Sequence, residues 1–210
     1  MRLKIPSPAD QLEAKIDEPA GTQRAIVVLA HPHPEYGETM CNKVVFRVAK
    51  ALQNIGCTVL RFNFRGTGAS EGRFDGKDGE HADFFASLDF AATRHPKLDL
   101  WAAGFSFGAW VALTAGALDS RVRALIGVAP PIERYDFDTL QRSEKPKFFI
   151  QGKEDQICPL EAMRRFYAHA DEPKELVVMS GADYLFDDQV SEVGSTIEDL
   201  LENFPTYINR

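Results

Sequence analysis

The 210-residue chain has little of what marks several protein classes. Its three cysteines, Cys41, Cys57 and Cys158, are an odd number without paired metal-ligand spacing. That argues against a disulfide framework or a cysteine-based zinc site. Cys57 lies inside an apolar run where burial is expected, so a reduced, cytoplasmic setting is expected. No apolar stretch approaches the ~20 residues a membrane helix requires. Residues 1–16 mix charged and apolar positions and lack the apolar core, about 7 to 15 residues long, of a secretory signal. There is no basic arm, and 24 Lys and Arg stand against 31 Asp and Glu, a net charge of −7. A nucleic-acid partner is therefore not expected. No internal repeat or low-complexity linker occurs, and 44% hydrophobic content suits one core, so residues 1–210 are expected to form one domain.

What is present is an alternation of short apolar runs with longer amphipathic stretches, the pattern of βαβ units. Residues 25–30 (AIVVLA) and 57–62 (CTVLRF) read as strands buried on both faces, because such strands are continuously apolar. Residues 98–103, 122–128, 148–150 and 175–179 read likewise, which makes six core strands. Val44, Val45, Val48, Leu52 and Ile55 recur at helical spacing ahead of Gly56, which predicts a covering helix over 41–55. Further helices are expected near 78–94, 107–118, 159–169 and 191–203. Residues 3–5 and 12–16 suggest a leading antiparallel hairpin.

The sharpest signal is Gly104-Phe105-Ser106-Phe107-Gly108, placed between an apolar strand and an alanine-rich helix. A serine at a tight strand-to-helix turn is held in a strained backbone conformation, and flanking glycines remove Cβ atoms that would collide there. Its hydroxyl is lifted to the carboxyl edge of the sheet. The helix N-terminus and the Phe107 N–H then stabilise negative charge developing on a substrate oxygen.

A second oxyanion donor is expected from the loop after residue 30, His31-Pro32-His33-Pro34-Glu35-Tyr36-Gly37. Pro32 and Pro34 have no N–H, which leaves His33, or residues from Glu35 onward, with His33 the first choice. As side chains, His31 and His33 read as rigidifying, partly buried rings. A metal pair is disfavoured because no cysteine or acidic cluster nearby completes a ligand set.

An orienting acid belongs just after a late strand, in the order serine, acid, histidine. Asp155 fits, with Glu154 as its neighbouring alternative, while Asp183 is too late in order. The loop after the last strand, Ser180-Gly181-Ala182-Asp183-Tyr184-Leu185-Phe186, contains no histidine. The only histidine after Ser106 is His169, at the end of a predicted helix away from the catalytic edge. His81 and His95 look equally ordinary. Cys158 as an alternative nucleophile fails, since it precedes Pro159 and has no histidine nearby in sequence.

Taken together, Gly104–Gly108, Asn42-Lys43-Val44-Val45, Arg61-Phe62-Asn63-Phe64-Arg65-Gly66 and Ala129-Pro130-Pro131 resemble the small, lidless bacterial α/β-hydrolases with a His-Pro loop. The resemblance runs from about Arg24 to Leu200. It implies a mostly parallel central sheet with helices on both faces and no lid domain. It implies Ser106 as nucleophile, Asp155 as acid, and Tyr184 standing where such proteins carry the triad histidine. A second departure is Glu38, where the family usually has a glycine beside Gly37. A phenol with a pKa near 10 is neutral at pH 7 and cannot take the serine proton.

Gly66 to Gly72 superficially suggests a phosphate loop, but the third glycine is displaced and no Lys-Ser/Thr pair follows, so a flexible turn is expected. Between Pro130 and Lys145 there is room for little more than Tyr135, Phe137 and Leu140 to cover the site. A shallow pocket for small esters or thioesters is expected, with no metal or organic cofactor, in a monomer or homodimer. Without its base such a protein is a slow hydrolase, a non-catalytic binding module, or a variant bearing a substitution at Tyr184.

Overall fold

The computed structural model describes residues 2–76 and 78–205. Its strands are β1 (Arg2–Ser7), β2 (Asp10–Asp17), β3 (Ala25–Ala30), β4 (Cys57–Phe62), β5 (Asp99–Phe105), β6 (Val122–Val128), β7 (Lys147–Gly152) and β8 (Lys174–Met179). The helices are α1 (Lys43–Asn54), α2 (Asp78–Arg94), α3 (Phe107–Leu118), α4 (Asp138–Gln141), α5 (Leu160–His169) and α6 (Val190–Leu201). The strands form one sheet in the order β1-β2-β4-β3-β5-β6-β7-β8. Only the β1–β2 and β2–β4 pairings are antiparallel.

The continuous apolar runs are explained by cover on both faces. Along β3, Ile26, Val28 and Ala30 pack on the side that holds α2, α3, α4 and α5, while Ala25, Val27 and Leu29 pack on the side of α1 and α6. Successive side chains of a strand alternate faces, so a strand with two covered faces has no polar positions to spare. All six β3 residues are buried, and the same holds for β4 and β7. Against this sheet α3 is apolar nearly all round, because it lies buried under β5 and β6.

Helix α1 begins at Lys43, two residues later than expected from the sequence, because Asn42 caps it: Asn42 Oδ1 accepts from the Val44 and Val45 N–H groups at 2.9 and 3.3 Å. Gly56 follows its end at φ 87°, as the sequence predicts. The leading hairpin exists and joins the sheet. Its β2 strand pairs with β4 and is pinned by the Asp17 carboxylate accepting from Arg61 Nε at 2.9 Å.

Two expectations are corrected. The Gly66–Gly72 turn is tied down, not flexible: Ser70 Oγ donates to Asn63 O at 2.7 Å and accepts from Glu13 N, while Ala69 N donates to Glu13 Oε2. Phe137 and Leu140 do not cover the site. The short α4 turns them into the core beside Phe166 and α3, where burial of apolar area outweighs what a solvent-facing position would gain. Among the described residues no helix is long and apolar enough to cross a membrane.

Candidate active site

Ser106 is the single residue between β5 and α3, and it sits at φ 54°, ψ −122°. A non-glycine residue at positive φ costs about 1–3 kcal/mol and persists only where its surroundings over-determine it. Here the Ser106 N–H donates to Val128 O at 2.9 Å, and its carbonyl accepts from Ala109 and Trp110. The flanking glycines are required by close approach. A Cβ on Gly104 would lie 2.2 Å from Gly108 O, and one on Gly108 would lie 2.4 Å from His31 O. The elbow is thus wedged between its own helix and the loop after β3.

The same loop supplies the wall opposite. His31 is fully buried, and its Nε2 accepts from the Phe64 N–H at 3.1 Å, so the ring proton is on Nδ1, which donates to Pro32 O at 2.7 Å. Burial holds its pKa at about 3. His31 is a neutral strut between two loops, with neither nitrogen left for chemistry. The His33 ring lies 4.9 Å from each of Tyr36, Phe74 and Phe107, centroid to centroid, and its Nδ1 has no hydrogen-bond partner. Burial lowers its pKa as well. Ser106, 6% exposed, opens on a pocket of about 230 Å³ bordered by His33, Phe107, Tyr135 and Tyr184. Among the described residues neither the His33 nor the Phe107 backbone N–H donates to a protein acceptor.

Asp155 lies in the loop after β7 and is 5% exposed. Its Oδ1 accepts from the Ile157 and Cys158 N–H groups, both at 2.8 Å, and its Oδ2 accepts from Gln151 Nε2 at 3.1 Å. Burial raises its pKa against the pull of those donors. It makes no hydrogen bond to Tyr184 among the described residues.

Tyr184, in the loop after β8, reaches Ser106 directly: its Oη donates to Ser106 Oγ at 2.8 Å. The ring stacks on Phe105 at 5.3 Å. Burial, first among several causes, pushes its pKa up to about 12, so it is protonated and acts as a donor at pH 7. The structure therefore brings Ser106, Phe107, His33 and Tyr184 around one pocket, with Asp155 held behind by its own loop. Glu38 is engaged elsewhere, accepting from Asn42 Nδ2 at 2.7 Å. His169 is exposed on α5, and its Nδ1 lies 2.8 Å from Arg165 O.

Several neighbours escape a reading of the sequence. The buried Cys158 lies close enough to Ser106 for that side chain to lower its pKa, though burial pushes it up to about 12 and leaves it a thiol. Gln151 anchors Asp155, and Gln151 and Cys158 both lie within four residues of that acid, so the loop around it was the signal available. Arg134, Tyr36 and Ile157 also line the pocket, and no local motif marks them.

Residues 21–136 match the family described as serine aminopeptidase, S33. The chain belongs to this family, among its small lidless α/β-hydrolases. This hydrolase superposes with a TM-score of 0.92 on an α/β serine hydrolase homologue from Coxiella burnetii, 38% identical over 96% of this chain and 97% of that one. A lidless α/β serine hydrolase from Xanthomonas campestris is similar at TM-score 0.89 and 34% identity, covering 95% and 92% of the two chains. In Rickettsia prowazekii an uncharacterized protein is 32% identical over 92% of this hydrolase and 85% of its own length.

Proposed function

We propose that the protein hydrolyses small carboxylic esters or thioesters through an acyl-enzyme on Ser106, slowly, because among the described residues no base stands ready to take the serine proton. In the first step Ser106 Oγ bonds to the carbonyl carbon and its proton passes to water, while the Phe107 and His33 N–H groups receive the oxyanion. The bond to the leaving alkoxide or thiolate then breaks, and the departing group takes a proton from solvent. Water attacks the acyl-serine and releases the acid. Asp155 would orient an imidazole if one were present. In a triad enzyme, losing the base costs ~10⁶ in turnover, whereas the oxyanion hole and binding retain ~10³ to 10⁴ over water.

The observation that carries this reading is the strained backbone of Ser106 at φ 54°. A turn under no catalytic demand has no evident need to hold an L-residue there. The test is hydrolysis of short p-nitrophenyl esters by the native protein and by Ser106→Ala. A slow rate that disappears with the serine hydroxyl supports the reading, and equal rates refute it.

A second reading, a binding module that keeps the pocket without the chemistry, is favoured by the Tyr184–Ser106 hydrogen bond, which engages a lone pair of the nucleophile. It predicts no Ser106-dependent hydrolysis at all.

A further inference from the structure

The pocket beside Ser106 has two features that the hydrolytic reading does not use. One is its rim. Tyr36 is 75% exposed and Ile157 is 40% exposed, and both stand at this opening. Behind them the wall is aromatic: the His33 ring packs against Phe107, and Tyr135 stacks on Trp110 at 4.3 Å with the planes 16° apart. Apolar side chains left facing water around one small opening mark a place where an apolar group is received.

The other feature is a cation. Arg134 lines the same pocket. Its position is set by a rigid stretch: Pro130 and Pro131 are buried, and the Arg134 N–H donates back to Pro131 O at 3.0 Å. Its charge bears on the pocket walls: it favours ionisation of Cys158 and of Tyr135, where it outweighs Glu35, and it opposes protonation of His33, where Glu35 acts the other way and more strongly. Among the described residues it makes no ion pair. The neighbouring Glu133 is turned away to Arg165 at 2.5 Å, and Glu38 is held by Asn42. Glu35 is exposed in the loop after β3, and among the described residues no ion pair joins it to Arg134.

Size narrows the ligand further. An apolar cavity of about 150 Å³ holds a benzene molecule. The pocket here measures about 230 Å³, which leaves room beyond one ring for a group the size of a carboxylate.

We propose that this pocket selects esters or thioesters whose bound part is compact, apolar and negatively charged, with the Arg134 guanidinium holding the anion. The proposal rests on Ser106 being the reacting group, and it adds the substrate class. A guanidinium suits the task because its fork donates two parallel hydrogen bonds to a carboxylate.

The experiment is calorimetric titration of benzoate, and of neutral benzamide as its isosteric counterpart, into Ser106→Ala, and into the same protein also carrying Arg134→Gln. Arg134 is exposed, so its replacement does not threaten folding. Benzoate binding that weakens by about tenfold or more with Arg134→Gln, and weakens in high salt, while benzamide binding does not change between the two proteins, supports the proposal. Equal binding of benzoate to both proteins, or no preference for benzoate over benzamide, overturns it. The serine hydroxyl is absent from these titrations, so their outcome is independent of hydrolysis. Ser106-dependent ester hydrolysis together with indifference to charge refutes anion selection and leaves the hydrolase standing. Arg134-dependent benzoate binding without hydrolysis by the native protein keeps the anion site and removes the ester.

Discussion

The Tyr184 phenol donates a 2.8 Å hydrogen bond to the Ser106 hydroxyl across 78 residues of chain, and it does so from the loop where the family resemblance places a general base. The direction of that bond decides its consequence. A base must accept the serine proton, and a phenol whose pKa is raised to about 12 gives a proton instead.

Tyr184→Phe separates a bystander from a catalyst. Removal of the hydroxyl is expected to cost about 1 kcal/mol of stability for one lost hydrogen bond, read from urea denaturation. Ser106-dependent hydrolysis of p-nitrophenyl acetate is expected to stay within a few-fold of native or to rise. A steep loss would make the phenol part of the machinery.

Ser106 itself stores strain. Ser106→Gly relieves the positive φ of 54° and is expected to stabilise the fold by about 1 kcal/mol, after the lost Tyr184 bond is set against the strain. Urea midpoints of the two proteins with equal slopes check this. A glycine variant less stable than native would mean the turn is not strained.

Glu80 offers a test through pH. It is buried at the start of α2, and desolvation, first among its causes, raises its pKa from 4.5 to about 7. Its Oε1 accepts from the Asp75 N–H at 3.1 Å. A raised folded-state pKa means the folded chain binds the proton more tightly than the unfolded one. Its contribution to stability is therefore full below pH 4.5 and is lost as pH rises through about 7. Glu80→Gln keeps the acceptor and removes the titration. The native-minus-variant difference in unfolding free energy should fall between those limits and level off above them. A constant difference would show that Glu80 does not titrate in that window.

Much of the fold was legible because burial on two faces writes itself into β3, β4 and β7 as unbroken apolar runs, and because the elbow needs glycines on both sides of Ser106. What escaped depends on contacts between distant segments. Phe137 and Leu140 are apolar whether they cover a pocket or fill the core, so their composition alone did not say which. The turn at Gly68 looked flexible, yet a Cβ there would lie 2.4 Å from Asn63 Nδ2, a side chain that the hairpin residue Glu13 holds in place. The candidate site was legible as a list of parts, Ser106, Phe107, His33, Asp155 and Tyr184. Its assembly was not: neither the Tyr184 bond to Ser106 nor the Cys158 thiol beside it follows from spacing. Arg134 lay beyond reach too, because a turn after β6, not a motif, carries it to the pocket.

The measurement that tests the account most directly is the rate of p-nitrophenyl acetate hydrolysis by the native protein, by Tyr184→His and by Tyr184→His with Ser106→Ala, followed against pH. The account predicts that histidine raises turnover by at least about 10²-fold, with an inflection near the imidazole pKa, and that the added serine replacement abolishes the gain. A Tyr184→His protein that folds normally and hydrolyses no faster than native would contradict it, and the binding-module reading would take its place.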